Sequence, residues 1–116
     1  MIKQLLSKDI KKYLTTETDK KKRVLLDVRT EEEWSQFGKP DGEKLGLKTY
    51  FLTIEDDNFV KEFKNLSINQ DSEILAMCAA GARSQVASEL LTKENYSCVN
   101  ISDGFTGWMI WDLPHL

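Results

Sequence analysis

The residues of this sequence best suited to chemistry run from Cys78 to Ser84: Cys78, Ala79, Ala80, Gly81, Ala82, Arg83 and Ser84. The thiol follows the apolar run Ile74-Leu75-Ala76-Met77, which reads as a strand, and the segment beyond the loop reads as a helix. The orphan N–H groups of a helix's first turn favour negative charge, either on the sulfur or on a bound anion. A free thiol has a pKa of roughly 8.5, and a helix N-terminus or a neighbouring cation lowers it by about one to several units. Ala79, Ala80 and Ala82 leave the backbone N–H groups unobstructed, so the loop can curl around a sulfur or an oxyanion. Gly81 permits a backbone conformation that a side chain would forbid. Arg83 in the first turn opposes the helix dipole at a cost of about a few tenths of a kcal/mol, which a thiolate or bound anion reverses. Nucleophilic, covalent catalysis is the chemistry that fits this pattern.

A cysteine at a strand end is, by itself, more often a small buried hydrophobe. The loop, Arg83 and the following helix together reverse that reading for Cys78. Cys98 has no such surroundings and reads as structural. Two cysteines do not make a disulfide framework, and these two are expected on separate strands. Their free thiols suit a reducing, cytoplasmic setting. The net charge of −3 argues against nucleic acid or an anionic membrane as partner. The basic cluster Lys20-Lys21-Lys22-Arg23 follows Glu17 and Asp19 and reads as a solvated loop. No apolar run reaches the length of a membrane span, and the N-terminal residues lack the pattern of a signal peptide. A chain of 116 residues suits one domain, spanning 1–116.

The elements that must position the thiol follow from local pattern. Residues 2–6 read as an edge strand, and Ser7 as the N-cap of a helix to Leu14 with Ile10 and Tyr13 on one face. Val24-Leu25-Leu26 reads as a strand covered on both faces, ending in Asp27-Val28-Arg29. Thr30 and Glu33 fit a capping box, so a helix follows, with Trp34 and Phe37 packing inward and Gly38 stopping it. Residues 39–46 read as an irregular surface loop, and 49–53 as a strand. Asp56 or Asp57 is expected to cap a helix carrying Phe59, Val60, Phe63 and Leu66 on its buried face. After the Cys78 loop, Val86, Ala87, Leu90 and Leu91 mark the buried face of the next helix. Cys98-Val99-Asn100-Ile101 reads as the last strand, and 105–111 as a short aromatic helix in which Trp108 and Trp111, like Trp34, serve packing. Strands alternate with helices, which predicts an α/β domain with a mainly parallel sheet.

In open α/β sheets, sites form beyond the carboxyl ends of strands. Here Asp27-Val28-Arg29 and Cys78 through Ser84 occupy two such ends. Three segments in order, Leu26-Asp27-Val28-Arg29-Thr30 with Glu33 and Trp34, Cys78-x-x-Gly81-x-Arg83-Ser84, and Asp103-Gly104 with Trp108, resemble the rhodanese (sulfurtransferase) family over nearly the whole chain. The resemblance implies a three-layer fold, a five-stranded, mainly parallel sheet with helices on both faces. It also implies that Cys78 is the nucleophile and that Asp27 and Arg29 brace its loop. Two departures fall at the expected cleft rim. The family's Gly-His-Ile-Pro-Gly-Ala-like turn is Gly38-Lys39-Pro40-Asp41-Gly42 here, and Phe105 replaces the second glycine of its Gly-Gly.

The implied mechanism is a double displacement. The Cys78 thiolate attacks the outer sulfur of a small donor, thiosulfate or a persulfide; with thiosulfate it expels sulfite and becomes a persulfide. A thiol or cyanide acceptor, or a sulfur-relay protein, then takes the sulfur. The loop N–H groups of Ala79 through Ser84 hold the persulfide, and Arg83 orients an anionic donor. No metal, cofactor or histidine is required, and the only histidine, His115, lies in the tail. Two rivals stand beside this reading. A cysteine phosphatase or arsenate reductase uses five residues between Cys and Arg, whereas this loop has four, Ala79 to Ala82, a tighter ring suited to one sulfur atom. A non-enzymatic sulfur carrier or partner-binding module is the other.

Overall fold

The structure, a computed structural model, describes residues 1–16, 22–54 and 57–116. Five strands form one sheet: β1 (Lys3–Leu5), β2 (Arg23–Asp27), β3 (Lys48–Phe51), β4 (Glu73–Met77) and β5 (Ser97–Ile101). Their order is β1-β5-β4-β2-β3, and every neighbouring pair is parallel. The helices are α1 (Ile10–Leu14), α2 (Glu31–Phe37), α3 (Phe59–Asn65), α4 (Ala82–Lys93) and α5 (Gly104–Ile110).

The sheet is covered on both faces, and the two-residue period of a strand sorts its side chains between them. Leu25, Leu75, Met77, Val99 and Ile101 join Ile10 and Tyr13 from α1 and Phe105 and Trp108 from α5 in one core cluster. Val24, Leu26 and Ile74 join Phe59 and Phe63 from α3 and Ala87 and Leu91 from α4 in the other. Cys78 continues the second set, so its thiol starts on the α4 face. Register places Asp27 beside Met77, and Ala76 beside Asn100. The carboxyl ends of β2, β4 and β5 therefore meet at one edge.

Several local expectations change. Ser7 opens a 3-10 turn rather than capping α1, because its N–H and hydroxyl both donate to Asp103 Oδ1, at 3.0 and 2.9 Å. Phe37 points outward and is 60% exposed, since α2 stands at the sheet's carboxyl edge and buries no residue fully. Val86 is also exposed; Ser84, Ala87, Ser88 and Leu91 form the buried stripe of α4. The segment expected as irregular loop contains a 3-10 turn, Gly42–Leu45, with Gly42 buried. Asn58, not Asp57, holds the N-cap position of α3, while Asp56 lies outside the described residues. Arg23 belongs to β2 and pairs with Glu73 at 2.9 Å; Lys20 and Lys21 lie outside the described residues.

Candidate active site

The Cys78 loop is held from both sides. The apolar residues of β4 bury the strand, and Gly81 turns the chain into α4 at φ +99°. A Cβ at Gly81 would overlap the Ser102 carbonyl, so only glycine fits between the loop and the end of β5. From the other side, the first N–H groups of α5 reach across: Phe105 N donates to the Cys78 carbonyl at 2.8 Å and Thr106 N to the Ala79 carbonyl at 3.1 Å. Gly104 at φ +54° permits this approach, because a Cβ there would strike both carbonyls. The amides of one helix start thus satisfy the carbonyls of the loop, while the N–H groups of Ala80, Gly81 and Ser84 turn to the thiol.

Those groups converge on sulfur. Gly81 N donates to Cys78 Sγ at 3.1 Å, and Ser84 Oγ stands 3.4 Å from it. Burial pushes the thiol's pKa up. Donation from the Ser84 hydroxyl and from the backbone N–H groups of Ser84, Ala80 and Gly81 outweighs it and leaves the pKa below that of an ordinary thiol. Cys98 has burial without this set of donors, and its pKa is pushed up to about 11. Both thiols are free.

Beneath the loop lies a polar network that the sequence reading did not anticipate. Ser84 Oγ is 2.6 Å from Asn100 Oδ1, and Asn100 Nδ2 donates to the Gly81 carbonyl at 3.1 Å and to Gln4 Oε1 at 2.9 Å. Asn100 is buried, and every polar atom of its side chain has a partner. One signal for it was available: a lone amide inside the apolar strand 98–101, at a position covered on both faces.

Two arginine–carboxylate pairs frame the site. Asp27 and Arg29 are almost fully buried, with Arg29 Nη2 2.8 Å from Asp27 Oδ2. Arg29 also donates to the Gly38 carbonyl at 2.9 Å and lies 4.0 Å over the Phe105 ring, which ties β2, α2 and α5 together. Arg83 leaves the loop and meets Glu33 with two bonds, 2.6 and 2.8 Å. Glu33 simultaneously completes the capping box with Thr30. The Arg83 bonds are the main reason its carboxyl is held down to about 2. In the sequence Glu33 reads as a cap and as part of the family pattern, and Arg83 as a group that orients an anionic donor; their pairing across fifty positions emerges only in the fold.

A cleft of about 390 Å³ opens over this arrangement, lined by Arg29, Glu33, Phe37, Ala79, Phe105, Thr106 and Met109. It reaches Ala79, the residue after the thiol. Ala80 and Ala82 are exposed, and Arg83 is half-buried. Among the described residues no cluster of His, Cys, Asp and Glu could hold a metal, and no helix is long and apolar enough to cross a membrane.

Residues 10–110 match the family model described as "Rhodanese-like domain". An uncharacterized protein of Rickettsia prowazekii is 40% identical over 87 residues, covering 72% of this chain and 69% of the relative. A crystal structure from M. tuberculosis superposes with a TM-score of 0.79 at 26% identity, covering 97% of this chain and 96% of that one. The polysulfide-sulfur transferase homodimer of Wolinella succinogenes shares the fold, with a TM-score of 0.76 at 22% identity over 99% of this chain and 78% of its own.

Proposed function

The chain belongs to the rhodanese-like family, and from that premise we propose that it transfers a sulfane sulfur through a persulfide on Cys78. The observation that carries this reading is the convergence of the Gly81 N–H and the Ser84 hydroxyl on a sulfur whose pKa lies below the ordinary value. A thiolate held in that way attacks the outer sulfur of thiosulfate or of a persulfide. The bond from that sulfur to the rest of the donor breaks, and its electron pair leaves with sulfite or a thiolate. The same donors then hold the terminal sulfur of the Cys78 persulfide until a thiol or cyanide acceptor, or a sulfur-relay protein, removes it. Asp27 and Arg29 act as loop support, through the Gly38 carbonyl and the Phe105 ring. Both free cysteines fit a reducing compartment such as the cytoplasm.

The four-residue spacing from Cys78 to Arg83 favours one sulfur atom over a tetrahedral phosphate, and the engagement of Arg83 by Glu33 further disfavours phosphate esters. Intact mass spectrometry after incubation with thiosulfate and, separately, with an organic thiosulfonate tests the reading. The expected result is a gain of one sulfur atom at Cys78, reversed by excess thiol. A Cys78→Ser protein that turned over either donor as fast as the parent would overturn it.

A further inference from the structure

The cations at the cleft are already committed, Arg29 in its lining and Arg83 through its bond to the lining residue Glu33. Arg29 is bound by Asp27 through its Nε and Nη2 groups, and Arg83 is bound by both oxygens of Glu33. These two pairs sum to zero charge, and a Cys78 thiolate makes the site negative. What remains of the lining is largely apolar: Phe37 at 60% exposure, Met109 at 38%, and the Phe105 ring, with Ala79 at the floor. We propose that Glu33 is a specificity-determining residue. By engaging Arg83 and lining an apolar cleft, it selects sulfur donors that bear a single negative charge and an apolar substituent over the thiosulfate dianion.

The inference rests on the sulfurtransferase reading and narrows its substrate class. A thiolate approached by a dianion meets twice the repulsion that it meets from a monoanion, and no unpaired guanidinium among the described lining residues offsets it. The N–H groups of Ala80, Gly81 and Ser84 do not serve this purpose, because they are engaged with the attacking sulfur of Cys78. An organic thiosulfonate, R–SO2–S⁻, meets the site's requirements. The thiolate attacks the terminal sulfur, the S–S bond to the sulfonyl group breaks, and its electron pair leaves as the sulfinate R–SO2⁻. One negative charge stays on the Cys78 persulfide and one departs, so neither proton nor oxidant is needed. The substituent R lies against Phe37, Phe105 and Met109, exchanging exposed apolar surface for contact. An alkyl or aryl persulfide has the same charge and the same apolar part, and loses a thiolate in place of the sulfinate.

Glu33→Gln tests the proposal without removing the cap, because glutamine also serves as the third residue of a capping box. The readout is the ratio of kcat/KM for benzenethiosulfonate to kcat/KM for thiosulfate, in which protein folding and active fraction cancel. Glu33→Gln is expected to lower that ratio on the order of tenfold, by raising thiosulfate turnover as Arg83 becomes available. Phe37→Ala is expected to lower the same ratio about tenfold by slowing benzenethiosulfonate alone, as loss of a buried aromatic contact should. An unchanged ratio in Glu33→Gln, or equal losses for both donors in Phe37→Ala, overturns the specificity proposal. Sulfur transfer to Cys78 in the parent protein, followed by mass, separates the two levels. Transfer with an unmoved ratio defeats only the specificity, whereas no transfer from either donor defeats the sulfurtransferase reading as well.

Discussion

Ser84 Oγ and Asn100 Oδ1 lie 2.6 Å apart, closer than any other contact the serine hydroxyl makes. Asn100 Nδ2 faces the Gly81 carbonyl, which can only accept, so Oδ1 must be the atom turned to Ser84. The single hydroxyl proton of Ser84 is therefore sought by Asn100 at 2.6 Å, by the Gly81 carbonyl at 3.3 Å and by the Cys78 sulfur at 3.4 Å. Asn100 Oδ1 and the Cys78 sulfur thus compete for one donor.

That competition predicts opposite shifts from the two partners of one hydrogen bond. Ser84→Ala should raise the Cys78 pKa, because it removes a hydrogen bond to the charged form. Asn100→Leu should lower it, because the proton is released toward sulfur. Ultraviolet thiolate absorbance against pH, in a Cys98→Ala background, reads both. Shifts of the same sign would show that the network acts only through packing.

The buried pair of Asp27 and Arg29 carries a stability prediction. Arg29→Met leaves a carboxylate that is 0% exposed without its counter-ion and should cost about 3–5 kcal/mol in urea unfolding. Adding Asp27→Leu should recover a large part of that loss, because the uncompensated charge is removed with its partner. A double variant no more stable than Arg29→Met would mean that the cost lies in the lost contacts to Gly38 and Phe105 instead.

Alkaline pH should weaken the fold at two identifiable places. Burial pushes Cys98 from 9.0 to about 11, and burial together with the Glu73 hydrogen bond pushes Tyr13 from 10.0 to about 12. Both are acids whose neutral forms the folded state favours. Their contribution is full below the unfolded values and is lost as pH rises through the folded ones. Tm should therefore fall between about pH 9 and 12, and Cys98→Ala should flatten the lower part of that fall. A Tm profile identical to that of the parent would remove Cys98 from this role.

The features legible in the sequence are those decided within a few residues. Apolar runs ending in Cys78 and Asp27 marked the strands, Thr30 and Glu33 marked the helix start, and the small residues of 79–82 marked a loop that can curl. Each depends on backbone geometry over a single turn, and alternation of strands with helices sufficed for a parallel sheet covered on both faces. Partnership between distant side chains is of another kind. Glu33 is fifty positions from Arg83, Asn100 sixteen from Ser84, and Ser7 ninety-six from Asp103. No local pattern distinguishes Glu33 the cap from Glu33 the partner of Arg83, because one carboxylate does both. Likewise, Phe37 sits at helical spacing for burial, yet α2 stands at the sheet's edge and turns it outward. By itself, the sequence determined which residue is the nucleophile candidate and what kind of loop holds it. Only the tertiary structure decided which charges around it are already spent, since that depends on which strand ends and helix starts meet in space.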